Sequence, residues 1–437
     1  MFRIFVKMFI GLFAVMYRGM TEVIKSITAL IKRQRLDKAN QIGRGVIEYR
    51  PSEIGGFFLP ESLPTNVVIS GGDNRRRSQT ISAIAYAACV NNMPVVVLHE
   101  ADRDLESMLQ ITFANSGRLT VINHNNPMYD PFIGLSDNEI SKLIMEAAAK
   151  EFDIKPNAKY YIDGMNAYIR ALNKAPSLNA FVKCPHSDLF NKVDGLVIGG
   201  VFDSAKGQDI KSRLMQGQSE RYKLENCFQS LEAQFAGILS RKTSHDRKSI
   251  TRTIEESDVI VVDITSNVNK LMLNVLIAQI RMAMGKGKYV SFIADELSTE
   301  NSELFAGLIR MHNEHCKLTV CSRDVFAMCG GEEKIFHTII GNSGKIVLYA
   351  HSSGAGATKW AEAIGYYDKM ETSTAHSTGK YNQSPFKLFP GSNTTSTTNY
   401  NIKREFIIKP EEINRMRPGE VYIFDSLTQE LAHTLLV

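Results

Sequence analysis

Residues 66–80 read NVVISGGDNRRRSQT. Asn66–Ser70 is a short β-branched run that ends in Gly71-Gly72, and Gln79–Val90 beyond it has a helical pattern rich in Ala and Ile. Strand, tight turn and helix start, in that order, expose main-chain amides and the positive end of a helix to a polyanion. Gly71, four residues, Arg76, Arg77 and Ser78 follow the spacing G-x-x-x-x-G-K-[ST], with Arg76 at the second glycine and Arg77 at the lysine. A side chain at position 76 crowds the approach of backbone to phosphate. Arg77 keeps the positive charge, but on a planar fork instead of a compact ammonium. Ser78 retains the hydroxyl that holds Mg²⁺ in such loops. Gly71, Gly72, Asn74, Arg76, Arg77, Ser78 and Gln79 are therefore candidate phosphate contacts, with Ser78 also a candidate metal ligand. The other reading of these residues is a basic turn with no nucleotide role.

Further apolar runs flank this segment: Pro94–Leu98, Leu119–Ile122, Val259–Ile264, Tyr289–Ala294, Leu318–Cys321 and Lys345–Tyr349. Helical stretches lie between them, among them Asn267–Met284. Continuous apolar strands alternating with helices predict an α/β protein whose mainly parallel sheet is covered on both faces. Between Asp137 and Lys248 strand candidates thin out, and Asn138–Phe152, Ala158–Ala171 and Tyr222–Leu239 read as helices, an inserted helical domain. Glu371–Tyr400 is rich in Ser, Thr, Asn and Gly and is expected as a mobile loop. Glu405–Ile408 and Glu420–Phe424 are expected as edge strands closing the fold.

The run Tyr289–Glu296 ends in Asp295-Glu296. An apolar strand ending in two acids suits a phosphate site: Asp295 would orient Mg²⁺ through water, and Glu296 would polarise the attacking water. The same acids would equally cap a following helix. Ser322-Arg323-Asp324, after the Leu318–Cys321 strand, is a possible γ-phosphate sensor or an ordinary surface loop. His312, His315, Cys316, Cys321 and Cys329 match no zinc spacing, and Cys184-Pro185-His186 joins no triad. Gly341-Asn342-Ser343-Gly344 lacks the spacing of a hydrolase serine. Six cysteines in 437 residues read as reduced thiols, not a disulfide scaffold.

Apolar residues make up 44% and charged residues 22%, which excludes a disordered, collagen-like or multi-span membrane chain. The chain carries +5, and residues 1–50 alone carry +7. The body is thus slightly acidic, which argues against a phosphate-coating surface. Met8–Tyr17 is too short an uncharged run to span a bilayer. Val23, Ile24, Ile27, Leu30 and Ile31 share a helix side beside Lys25, Lys32 and Arg33, so residues 1–35 read as an interfacial anchor for anionic lipid, or as a helix packed on protein.

The order of these pieces resembles the type IV secretion and conjugation coupling ATPases of the TraG/TraD kind, within the FtsK–HerA group of P-loop pumps. The resemblance runs from about Pro60 to the C-terminus. It rests on the degenerate loop Gly71–Thr80, the strand Val95–Leu98 with His99-Glu100-Ala101-Asp102, and Tyr129-Asp130-Pro131-Phe132. Phe292–Glu296, Ser322-Arg323, Ile339–Ser343, Lys409–Ile413 and Pro418-Gly419-Glu420 continue it. It implies a RecA-like P-loop NTPase core formed by 51–136 and 249–437, an all-α insertion at 137–248, and a membrane-associated segment at 1–50. It also implies ATP and Mg²⁺ between the subunits of a six-membered ring, at the cytoplasmic face of the membrane. There the protein would meet secretion-channel proteins and DNA–protein or protein substrates. The loop lysine, the second glycine and a usual glutamine are absent. An ATP-driven coupling protein, a catalytically degenerate scaffold derived from one, and a soluble DNA translocase are the three expectations.

Overall fold

The computed structural model describes residues 2–48, 65–172, 174–240, 246–256, 258–264, 270–297, 316–381 and 391–435. The chain opens with α1 (Phe2–Arg44) and β1 (Val46–Glu48), then β2 (Val67–Ser70), α2 (Asn74–Val90), β3 (Val95–His99), α3 (Arg103–Thr112) and β4 (Leu119–Ile122). A helical stretch follows: α4 (Asp137–Ala148), α5 (Ala158–Ala171), α6 (Leu178–Val182), α7 (Leu189–Ile198), α8 (Ser204–Gln216), α9 (Arg221–Phe235) and α10 (Ile250–Glu256). The chain then returns through β5 (Val259–Asp263), α11 (Lys270–Gly285), β6 (Val290–Asp295), β7 (Cys316–Ser322), α12 (Val325–Met328), α13 (Glu333–Gly341), β8 (Lys345–Leu348) and α14 (Gly354–Ile364). It ends with β9 (Tyr366–Tyr381), β10 (Gly391–Phe406), α15 (Pro410–Arg415), β11 (Glu420–Asp425) and β12 (Glu430–Leu435). His312 and His315, and the expected start of the Asn267–Met284 helix, lie outside the described residues.

Ten strands form one sheet in the order β1-β12-β11-β8-β2-β7-β6-β3-β5-β4. From β8 to β4 every neighbouring pair is parallel. Strand alternation sorts the core. Val68, Val96, Leu98, Ile260, Val262 and Phe292 share one buried cluster with the helical insertion. Val67, Ile69, Val95, Val97, Val261 and Ile293 face α2 and α3 in another. Both faces are covered, so the strand residues are apolar in unbroken runs, as the sequence pattern required. Residues 137–235 share their core with one sheet face. Asp130 stands at the base, where its carboxylate accepts from the Phe132 and Leu178 amides and pairs with Arg247 at 3.3 Å.

Three expectations change. The stretch expected as a mobile loop, 371–400, lies largely within β9 and β10, which pair antiparallel from Tyr366↔Phe406 to Tyr381↔Gly391. Thr and Tyr are good strand residues, and their hydrogen-bonded ladder needs no apolar run in the sequence. Glu405–Ile408 is not an edge strand of the main sheet: Glu405 and Phe406 end β10, stacking Phe406 on Tyr366 with centroids 4.6 Å apart. The helix expected from Gln79 begins at Asn74. Glu420–Phe424 does enter the sheet, in β11, antiparallel to β8 and β12.

The helix α1 is continuous over 43 residues. Its side chains from Glu22 to Ile31 are exposed, the apolar ones included, as is Met20. Among the described residues no helix is long and apolar enough to cross a membrane. Its C-terminal end is tied down: the Asn40 side chain exchanges hydrogen bonds with the Met370 backbone at 3.0 and 2.9 Å, and Arg44 pairs with Glu412.

Candidate functional site

Strand β2 ends at Ser70, and the chain turns through Gly71 and Gly72, with φ of +88° and +75°. A Cβ at Gly71 would stand 2.6 Å from the Tyr349 carbonyl and 2.7 Å from that of Ala350, so only glycine fits. The amides of these glycines are already committed: Gly71 N–H donates to the Ser322 carbonyl at 3.1 Å, and Gly72 N–H to that of Ala350 at 2.8 Å. Asp73 caps α2, its carboxylate accepting from the Arg76 amide at 2.9 Å. An acid therefore sits where a phosphate-binding loop presents free donors. Only Gly71, Gly72 and Asp73 separate strand from helix, too few residues to wrap a phosphate.

Arg77 turns inward and is fully buried. Its guanidinium donates to the Gly72 carbonyl at 2.7 Å and to Asn74 Oδ1 at 2.7 Å, and pairs with Glu296 Oε1 at 2.6 Å. Arg323 joins the same group. Its backbone N–H donates to Glu296 Oε1 at 2.9 Å, and its guanidinium to Asn74 Oδ1 at 3.0 Å. Ser322 Oγ lies 3.4 Å from Glu296 Oε2. Arg77, Asn74, Glu296 and Arg323 thus close a ring of charge-assisted bonds across the mouth of the loop.

Strand β7 lies between β2 and β6, and Glu296 reaches over it, held at a left-handed φ of +51° by its N–H donating to the Cys321 carbonyl. Asp295 is fully buried, with the Cys321 thiol beside its carboxyl. Burial pushes its carboxyl up to about 7; Asp102 and Glu296 add to the rise, while Cys321 and Arg77 oppose it. Ser78 is also buried, and its hydroxyl donates to the Asn74 carbonyl at 2.7 Å, as in an ordinary helix back-bond. The two oxygens expected to meet Mg²⁺ are thus turned away from solvent. Gln79 lies half-buried on α2. No group of His, Cys, Asp and Glu among the described residues has a metal-binding arrangement.

The structure therefore brings the expected residues of β2, β6 and β7 together at one end of the sheet, but closes them on each other. Sequence reasoning missed Asp73 as a cap. It also missed the buried triangle behind the loop, where Ser70 Oγ meets His351 Nε2 at 2.9 Å and accepts from Trp360 at 3.1 Å. The Asp-Asn pair before three helix-forming arginines was the signal for the early helix start.

No family model and no curated protein matches the sequence. Solved structures do match it. The bacterial conjugative coupling protein TrwB in its unbound monoclinic form is 11% identical, with a TM-score of 0.52 over 86% of each chain. Its trigonal form with sulphate is 10% identical, with a TM-score of 0.50 over 90% of this chain and 93% of that one. TrwB in complex with the non-hydrolysable GTP analogue GDPNP is 10% identical, with a TM-score of 0.50 over 86% of each chain. At such identity the likeness is one of architecture: the chain has the RecA-like P-loop NTPase fold of the conjugative coupling protein TrwB.

Proposed function

We propose that this chain is a coupling-protein-type subunit of a conjugation or type IV secretion apparatus that recruits its substrate without turning over ATP. The fold likeness supports the setting. The observation that carries the absence of turnover is the buried Arg77 guanidinium, bonded to loop carbonyl, Asn74 and Glu296 in the volume where a triphosphate would lie. Glu296 is the residue a motor would use to polarise water, and here it neutralises Arg77. In this reading the protein works in a homo-oligomer, a hexamer by analogy, beside secretion-channel proteins. The insertion at 137–248 would meet DNA–protein or protein substrates, and residues 1–35 would hold the assembly on the cytoplasmic membrane surface. The test is turnover and transfer together: purified protein with ATP and Mg²⁺ should release no phosphate, and Arg77→Ala should leave substrate transfer in cells intact. Phosphate release that disappears in Glu296→Gln would overturn it.

That second outcome defines the rival, an ATP-driven pump. Its support is the presence of Ser78, Asp295 and Glu296 at the strand and helix ends such a motor needs. In that case Arg77 would have to leave the loop and free Glu296, and Asp295 and Ser78 would be the residues to hold Mg²⁺.

A further inference from the structure

Strands β9 and β10 form a sheet of two, and among the described residues no third strand joins them. With 16 residues in each strand the ribbon is about 50 Å long. A ribbon of two strands is marginal in water by itself. Two contacts fix which way its backbone groups face. The Ile407 N–H donates to the Gly365 carbonyl at 3.0 Å, which extends the ladder one pair below Tyr366↔Phe406. The Met370 N–H and C=O instead face outward, to the Asn40 side chain at 2.9 and 3.0 Å. In an antiparallel ladder both groups of a residue point the same way, and successive residues alternate. The unbroken register therefore turns the backbone groups of Thr374, His376, Thr378 and Lys380 outward along β9, and those of Ser392, Thr394, Ser396 and Thr398 outward along β10. At Met370 the Asn40 amide stands in for a neighbouring strand. Farther along, α1 gives no cover, since its side chains from Glu22 to Arg35 are all exposed. Edges that must stay alone carry charge or proline. Gly391–Asn401 has neither.

We propose that the outer edge of β9 pairs antiparallel with the outer edge of β10 in a second copy of this chain. The two edges are equal in length and opposite in direction, so each copy supplies the strand its neighbour lacks. The up-and-down alternation then runs on unbroken across the joint. A foreign peptide on one edge would leave the other open, whereas head-to-tail pairing of copies uses both. Such pairing closes into a ring or continues as a filament. Closed, the ribbons make an up-and-down barrel around the ring axis, and no edge remains. The inference rests on the homo-oligomer of the proposed function, but not on ATP or on transfer.

Cross-linking of the full chain tests it. The six native cysteines are buried, so introduced ones react first. Ala375 and Thr397 stand opposite each other in the register. Their backbone groups face into their own ribbon, so between copies they form the pair without hydrogen bonds, where strands lie closest. The Ala375→Cys chain mixed with the Thr397→Cys chain should give a covalent dimer with a short bismaleimide. Thr395→Cys and Asn399→Cys cover a stagger of one pair either way. Each chain alone should give no dimer, since β9 meets β10 and not its own kind. Thr374→Pro with Thr378→Pro, added to the Ala375→Cys chain, removes two outward N–H groups and spares the ribbon's own ladder. The yield should then fall about tenfold, the size of two lost hydrogen bonds. No dimer in any of the three mixtures, an equal yield from either chain alone, or a yield indifferent to the prolines would each overturn the proposal. An oligomer that sediments as such without any of these cross-links would overturn the ribbon joint and leave the proposed function standing.

Discussion

Arg77 and Glu296 are unequal partners. The guanidinium is sealed, whereas the Glu296 side chain is about a quarter exposed. Removing the acid strands a buried charge, and losing one partner of a buried pair costs about 3 kcal/mol or more. Removing the arginine leaves a carboxylate that water can reach. Glu296→Ala should therefore destabilise the protein by about 3 kcal/mol, and Arg77→Met by clearly less, read from urea midpoints at constant slope. The reverse order would show that Arg77 is not held as described. Asp295 gives a second handle. Its folded-state pKa, about 7, lies above the ordinary 3.8, so between those values the native state holds a proton that the unfolded chain has lost. Stability should fall as pH rises through that window, by up to roughly 1.4 kcal/mol per unit, and level off above it. Asp295→Asn should flatten the slope and stabilise the protein at pH 8. An unchanged slope in that variant would place the buried proton elsewhere.

Helix α2 shows what a sequence pattern does and does not disclose. The strand, the glycine pair and the helix were all legible between Asn66 and Val90, because an apolar run and a turn signal leave little choice. The helix start was not. The phosphate-loop spacing suggested a wrapped loop up to Ser78, while Asp73 followed by Asn74 and three arginines is equally a helix cap with its first turn. Tertiary contact decided between them: the Gly71 and Gly72 amides close onto β7 and β8, which no local pattern reveals. If this is the right account, Arg76→Gly with Arg77→Lys should loosen the first turn of α2, remove the plug and raise Mg²⁺-dependent ATP binding at least about tenfold in calorimetry. An unaltered affinity would mean that the short loop, and not the arginines, is the barrier. The β9–β10 ribbon failed to show for a different reason. Its residues are mostly polar, and low hydrophobicity is also how a loop reads.

At the scale of the molecule, the parallel sheet was legible because its strands are buried on both faces, and the three-residue edge strand β1 and its neighbour β12 were not, because so short a strand carries little pattern and β12 pairs with it only through tertiary contact. The exposed apolar residues of α1 between Met20 and Ile31, with Lys25, Lys32 and Arg33 beside them, suit an anionic bilayer surface. Deleting residues 1–35 should abolish co-sedimentation with vesicles containing phosphatidylserine, and the intact chain should release from them as salt rises. Equal sedimentation of both forms would refute the anchor.

The joint between α1 and the sheet has a mechanical meaning. Val46–Glu48 lies parallel to Leu431–His433, and Glu48 grips His433 at 2.9 Å. Tension drawn along the first forty residues would reach those backbone bonds lengthwise, where they share the load and must give way together, not one by one as a peeled hairpin does. A helix about 65 Å long thereby ends in a shear-loaded rivet, and the chain can be tugged by its first segment without unravelling the layers behind it.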